Sequence, residues 1–206
     1  MIKIGIDFSL NKPAACVLKN NIYSFYIWPL DFDDKTIKKL EDSNVNVFNR
    51  ERLELGKDSS EKIRVHINMA NNLANNIINV FKKNIDDNVL ISFEGASFSS
   101  KGNISQELTA YRFILVNELG KLYGLNNIFT YAPLTLKSIA GCATKDKKGK
   151  ESMINAFSNE NIDHKFNYML KNNPELLKKK TNFVPGIDDI VDSYFALKTL
   201  IIKNNL

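Results

Sequence analysis

The chain of 206 residues is poor in the residues that staple a fold, chelate soft metals or cradle phosphates. Its only cysteines, Cys16 and Cys142, sit in apolar surroundings. That excludes a disulfide scaffold and a Cys-based zinc site, and both read as buried thiols. The two histidines, His66 and His164, are far apart and form no imidazole cluster. Of the nine glycines, none gathers into a loop after residue 142 of the kind that would hold ATP phosphates. No apolar run approaches the length of a membrane span. Met1 to Ile4 leads straight into a strand pattern with no signal-peptide architecture, so the expectation is a cytosolic chain. Internal repeats and Gly/Ser linkers are also missing, which points to one domain large enough to bury its own core.

Charge is present with both signs, 28 basic against 23 acidic residues for a formal net charge of +5, a mild hint of a polyanionic partner. Its distribution says more than its total. Lys137 and the run from Lys145 through Lys147 and Lys148 to Lys150 crowd positive charge into one region, and Lys178 to Lys180 adds a second. Alone, either run reads as a solvated loop.

Ile2, Ile4 and Ile6 alternate with Lys3 and Gly5 in a short β-branched strand that ends on Asp7. A turn through Asn11, Lys12 and Pro13 leads to a strand over Ala14 to Leu18, and Asn20 and Asn21 lead to a third over Ile22 to Trp28. Three antiparallel strands joined by tight turns follow from this pattern. Residues 29–60 have no sustained period and read as an insertion with a short helix near Asn49 to Leu55. Ile63, Ile67, Ala70, Ala74, Ile77 and Phe81 recur at helical spacing, predicting a long amphipathic helix from Ser60. Val89 to Glu94 is the next buried strand, again ending on an acid, and Leu108, Tyr111, Leu115, Leu119 and Leu122 mark a second long helix. A fifth strand over Asn127 to Tyr131, a helical turn from Pro133 carrying Lys137, and a helix over Glu151 to Phe157 follow. Residues 159–186 read as a polar, irregular insertion with a short helix around Phe166 to Leu170. The last helix opens at Ile187, with Asp188 placed to cap it and Ile190, Tyr194, Leu197 and Ile201 as its packing face. The order implies an α/β fold with a mixed five-stranded sheet, the first three strands antiparallel and the last two parallel.

Asp7 and Glu94 thus end two strands that can be neighbours, and a helix across their tips would add Asp189 and Asp192. Four carboxylates packed together raise one another's pKa and are tolerated mainly when a divalent cation neutralises them. An all-oxygen donor set favours Mg2+, with Mn2+ as a substitute, over zinc. Each acid also has a bland reading: Asp7 as a turn residue, Asp188 and Asp189 as helix-capping charges.

Ile4-Gly5-Ile6-Asp7, Ile91-Ser92-Phe93-Glu94 and Asp189-Ile190-Val191-Asp192 with the following Ser193 to Leu197 resemble, in this order and spacing, the acidic motifs of the RuvC-type Holliday-junction resolvases of the RNase H-like superfamily. The resemblance covers most of the chain outside the two insertions. Because of those insertions it is nearer to phage or mobile-element relatives than to the compact cellular enzyme. It implies an RNase H-like fold and a homodimeric Mg2+-dependent endonuclease of four-way DNA junctions, working in a bacterial cell or phage-infected host. Asp7, Glu94, Asp189 and Asp192 would bind two metal ions, with Asp188 an alternative to Asp189. Lys137 and Lys150 would assist catalysis. Arg112, Phe98, Ser99, Ser100, Lys101, Lys145, Lys147 and Lys148 would join them in contacting DNA, with Phe98 stacking on a base or packing in the core. The helix Leu108 to Leu122 would be the dimer face. Three other readings share parts of the pattern: an RNase H-like nuclease for other branched DNA or RNA–DNA hybrids, an actin-like or sugar-kinase ATPase, and a junction binder whose acids are structural.

Overall fold

The structure is a computed structural model that describes residues 1–54, 58–84, 88–95, 103–142 and 149–206. Its centre is a sheet of strands β1 (Ile2–Asp7), β2 (Ala14–Lys19), β3 (Ile22–Ile27), β4 (Val45–Val47), β5 (Val89–Glu94) and β6 (Ile128–Tyr131). The spatial order is β4-β3-β2-β1-β5-β6. β2 runs antiparallel to both β1 and β3, whereas β5 lies parallel to β1, β6 to β5 and β4 to β3. The sheet therefore has six strands where the sequence pattern suggests five. The extra one, β4, lies at the edge beside β3.

Helices cover both faces. On one side α2 (Ser59–Asn84) and α3 (Asn103–Tyr123) pack on Ile2, Ile4, Ile6, Ile91 and Phe93. On the other, α4 (Pro133–Ile139), α5 (Gly149–Ser158), α6 (Lys165–Asn172) and α7 (Ile187–Lys203) build a second core with Ala14, Cys16, Phe25 and Ile27. Successive strand residues point to opposite faces. Ile4 and Ile6 accordingly face α2 and α3, and Gly5 between them faces α7, where a Cβ would stand 2.1 Å from the Ser193 carbonyl oxygen and 2.3 Å from the Leu197 nitrogen. Ser92, level with Gly5 on β5, turns the same way and bonds the Ala196 carbonyl at 2.9 Å and the Ile4 carbonyl at 3.2 Å. Small residues on neighbouring strands thus let α7 lie directly on the sheet.

Several local expectations need correction. Residues 29–60 hold α1 (Asp34–Asp42) and β4, and the described part of 49–55 contains no helix; Arg50 instead pairs with Leu30 in an isolated parallel bridge. α1 escapes periodicity because it buries only Thr36 and Leu40, and its N-cap Asp33 accepts from the Thr36 amide. Residues 159–186 hold α6 and a short hairpin of β7 (Lys178–Lys179) and β8 (Asn182–Phe183). Ile63 and Ile67 have the spacing of a buried face but are 60% and 49% exposed, because packing on α2 begins at Ala70. Cys16 is buried, whereas Cys142 is only partly so. His164 caps α6 through Nδ1, and burial pushes its pKa down to about 4.

Candidate active site

The alternation that aims Gly5 and Ser92 at α7 also aims the residues two positions on, Asp7 and Glu94, to that side. The parallel register pairs Ile6 with Phe93, so the acids leave the sheet side by side at the ends of adjacent strands. α7 supplies the rest. Its N-cap is Gly186, in the left-handed region at φ 94°, where a Cβ would meet Ile27 Cδ1 at 2.5 Å. The close seat sets α7 against the sheet with Asp188 and Asp189 in its first turn and Asp192 one turn later. Asp188 does not cap the helix; it takes Lys150 and, at 3.5 Å, Lys12 as ionic partners.

Asp7, Glu94 and Asp192 each bring a carboxylate oxygen to within 4.8 Å of the others. All are pushed above the usual carboxylate range. For Asp7 the cause is burial, then repulsion from Glu94, Asp189, Asp192 and Asp188. For Asp192 it is burial, then Glu94, Asp188 and Asp189. Burial also raises Glu94, against a hydrogen bond with Asp7 and the positive charges of Lys137 and Arg112. Burial and the Asp188 charge lift Asp189 to about 6, against the pull of Lys12. Burial would raise Asp188 too, but Lys150 and Lys12 hold it well below the ordinary value. Charge of one sign, poorly solvated and converging on one point, fits a hard cation: the donors are all oxygen and two of the three come from strand ends that cannot move apart.

These acids form one wall of a cleft of about 570 Å³, lined also by Phe8, Arg112, Phe113, Thr130 and Lys150. Arg112 reaches it from α3, donating to Thr130 Oγ1 at 3.0 Å with its guanidinium carbon 5.3 Å from the Phe93 ring centre. Lys137, on α4, lies near enough to Glu94 to lower its pKa. Phe98, Ser99, Ser100, Lys101, Lys145, Lys147 and Lys148 lie outside the described residues. One participant was not anticipated from sequence. Lys12, in the turn between β1 and β2, holds Asp189 Oδ2 at 2.7 Å, and Ser9 Oγ approaches Asp189 Oδ1 at 3.4 Å. Its sequence signal is position alone: a tight turn returns a lysine to the tip of the strand that ends on Asp7.

No protein-family model matches the chain, and no curated protein matches it in sequence. Among solved structures, the Thermus thermophilus RuvC structure superposes with a TM-score of 0.52 at 10% identity, covering 99% of this chain and 97% of that one. The fold is that of RuvC. T. thermophilus RuvC in complex with Holliday junction substrate superposes with a TM-score of 0.50 at 8% identity, covering 98% of this chain and 96% of that one. The RuvC likeness is of the whole fold, shared across almost the full length of both chains.

Proposed function

We propose that this chain is a homodimeric, Mg2+-dependent endodeoxyribonuclease that resolves four-way DNA junctions. The observation that carries the proposal is the convergence of Asp7, Glu94 and Asp192, from three separated elements, beside Arg112 and Lys150 in one cleft of a RuvC-like fold. Asp7, Glu94 and Asp192 would hold a first divalent ion and Asp189 would complete a second position, with Asp188 its neighbour. When bound, such a pair of ions activates water and neutralises the leaving oxygen of a phosphodiester. The chain's own residues do the rest. Arg112 and Lys150 present cations at the cleft where a phosphate would lie, and Lys137 offsets charge at Glu94. Phe98, Ser99, Ser100, Lys101, Lys145, Lys147 and Lys148 are proposed to bind the junction arms, as basic and hydroxyl side chains do on a phosphate backbone. Two-fold symmetry of a dimer would match two-fold symmetry of the junction and put one site on each of two strands. The whole chain acts as a single nuclease domain, with 29–60 and 159–186 as additions to its core. Among the described residues no helix is long and apolar enough to cross a membrane.

The test is cleavage of a mobile four-way junction, a linear duplex and an RNA–DNA hybrid, each with and without Mg2+. The expected result is paired nicks in the junction that need the metal, lost in Asp7→Asn and Glu94→Gln. Preferential cutting of the hybrid would move the proposal to another nuclease class. Wild-type cutting by the Asp7→Asn variant would overturn the site.

A further inference from the structure

The two ends of the acidic site differ in what already neutralises them. Among the described residues, no lysine or arginine is ion-paired with Asp7, Glu94 or Asp192, whereas Asp189 is paired with Lys12 and Asp188 with both Lys12 and Lys150. The two lysines are not alike. Lys150 is 79% exposed in its side chain, whereas Lys12 is 26% exposed and projects from a braced turn. The Lys12 amide donates to Ser9 Oγ at 2.9 Å. Leu30 N donates to the Asn11 carbonyl at 2.8 Å and Trp28 N to the Pro13 carbonyl at 2.9 Å. Arg50, partly buried, donates to the Leu10 carbonyl at 2.9 Å and to the Trp28 carbonyl at 2.8 Å, so residues 28–50 fix the turn from behind. The turn backbone is fixed, and a pair whose side chains are only 26% and 9% exposed is screened less by water than a surface one.

An ammonium at 2.7 Å from Asp189 Oδ2 already neutralises that oxygen and repels a metal ion brought up to it, so the two cations compete for the same carboxylate. We infer that Lys12 is a tethered cation guarding the second metal position. The free chain takes one divalent ion at Asp7, Glu94 and Asp192, and admits another at Asp189 only when Lys12 releases it. A phosphodiester entering the cleft is an anion that draws Lys12 away, so the second ion arrives with the substrate. This rests on the reading of the acids as metal ligands. It makes Lys12 a positioning residue, and it gives the segment around Arg50 a purpose.

The experiment is titration of the full chain with Mn2+ in the absence of DNA, followed by calorimetry, with free Mn2+ counted by electron paramagnetic resonance. Wild type is expected to bind one ion per chain, with a second at least about tenfold weaker. In Lys12→Met and in Lys12→Gln the second ion tightens by about tenfold and the first is unchanged, while Lys12→Arg, which keeps the charge, titrates as wild type. Two equal sites in wild type, or an unaltered second site in both uncharged variants, would overturn the inference. Junction cleavage is measured beside it. Cleavage with an unaltered second site sinks the Lys12 role alone, and the expected isotherms with no cutting of any junction sink the nuclease proposal while leaving Lys12 in place.

Discussion

Replacing Gly5 by alanine tests how the site is held. The added Cβ would lie 2.1 Å from the Ser193 oxygen, 2.3 Å from the Leu197 nitrogen and 2.8 Å from the Leu197 Cβ. Two of these are backbone atoms of α7, so no rotamer change relieves the clash. Restoring ordinary contact needs about 1 Å of separation between the helix and β1. Ile190, Val191, Phe195 and Leu197 are fully buried on that helix, so lifting it loosens the core as well as crowding it. Overpacking of this kind costs about 1–3 kcal/mol, and the upper part of that range applies where the helix must move as a body. For a chain of this size that is a fall in Tm of about 5–10 °C. Asp192 precedes Ser193, the residue struck, so the same shift carries its carboxylate away from Asp7 and Glu94, and about 1 Å of misplacement is worth about a hundredfold in rate. Thermal unfolding with and without Mg2+ reads both effects. Gly5→Ala should melt lower and lose most of the metal-induced rise. An unchanged Tm, with the metal effect intact, would refute the claim that close approach at Gly5 positions the site.

Three further outcomes follow from the geometry. Asp192→Asn removes one of the mutually repelling charges and should raise the melting temperature of the metal-free protein by a few degrees while abolishing metal-induced stabilisation and any cleavage, as calorimetric scans and a nicking assay would show. The metal-free protein should respond to pH in an unusual sense: folded Asp189 titrates near 6, above an ordinary aspartate, because of burial and Asp188, so protonation favours the folded chain. That contribution is fully present below about pH 4, fades as pH rises through about 6, and should give a higher Tm at pH 5 than at pH 7, an order that saturating Mg2+ reverses. Ser92→Ala deletes a buried hydroxyl held between the Ile4 and Ala196 carbonyls, and chemical denaturation should show a loss of about 1–3 kcal/mol.

The frame of the site is legible in the chain because it is written in strand alternation. Once Ile2, Ile4 and Ile6 are assigned to one face, Gly5 and Asp7 belong to the other, and Ser92 with Glu94 repeats the pattern one strand away. What escapes is whatever depends on partners distant in sequence. Lys12 acquires its role from residues 176 and 177 positions later, and nothing local distinguishes it from a solvated turn lysine. β4 is three residues long, too short to show alternation, and is a strand only because β3 has a free edge to receive it. Ile63 and Ile67 show the opposite failure. Periodicity says which residues share a helix face but not whether anything lies against it, and theirs is largely open to solvent. Asp188 reads locally as a cap, yet α7 is entered through Gly186, and the carboxylate is drawn instead to Lys150 and Lys12.

The most direct measurement is diffraction from crystals soaked in Mn2+, with anomalous differences collected at the manganese edge. The account predicts a peak bonded to oxygens of Asp7, Glu94 and Asp192, at about 2.0–2.3 Å from each. A saturated crystal in which manganese sits elsewhere, or leaves those three carboxylates bare, would contradict it.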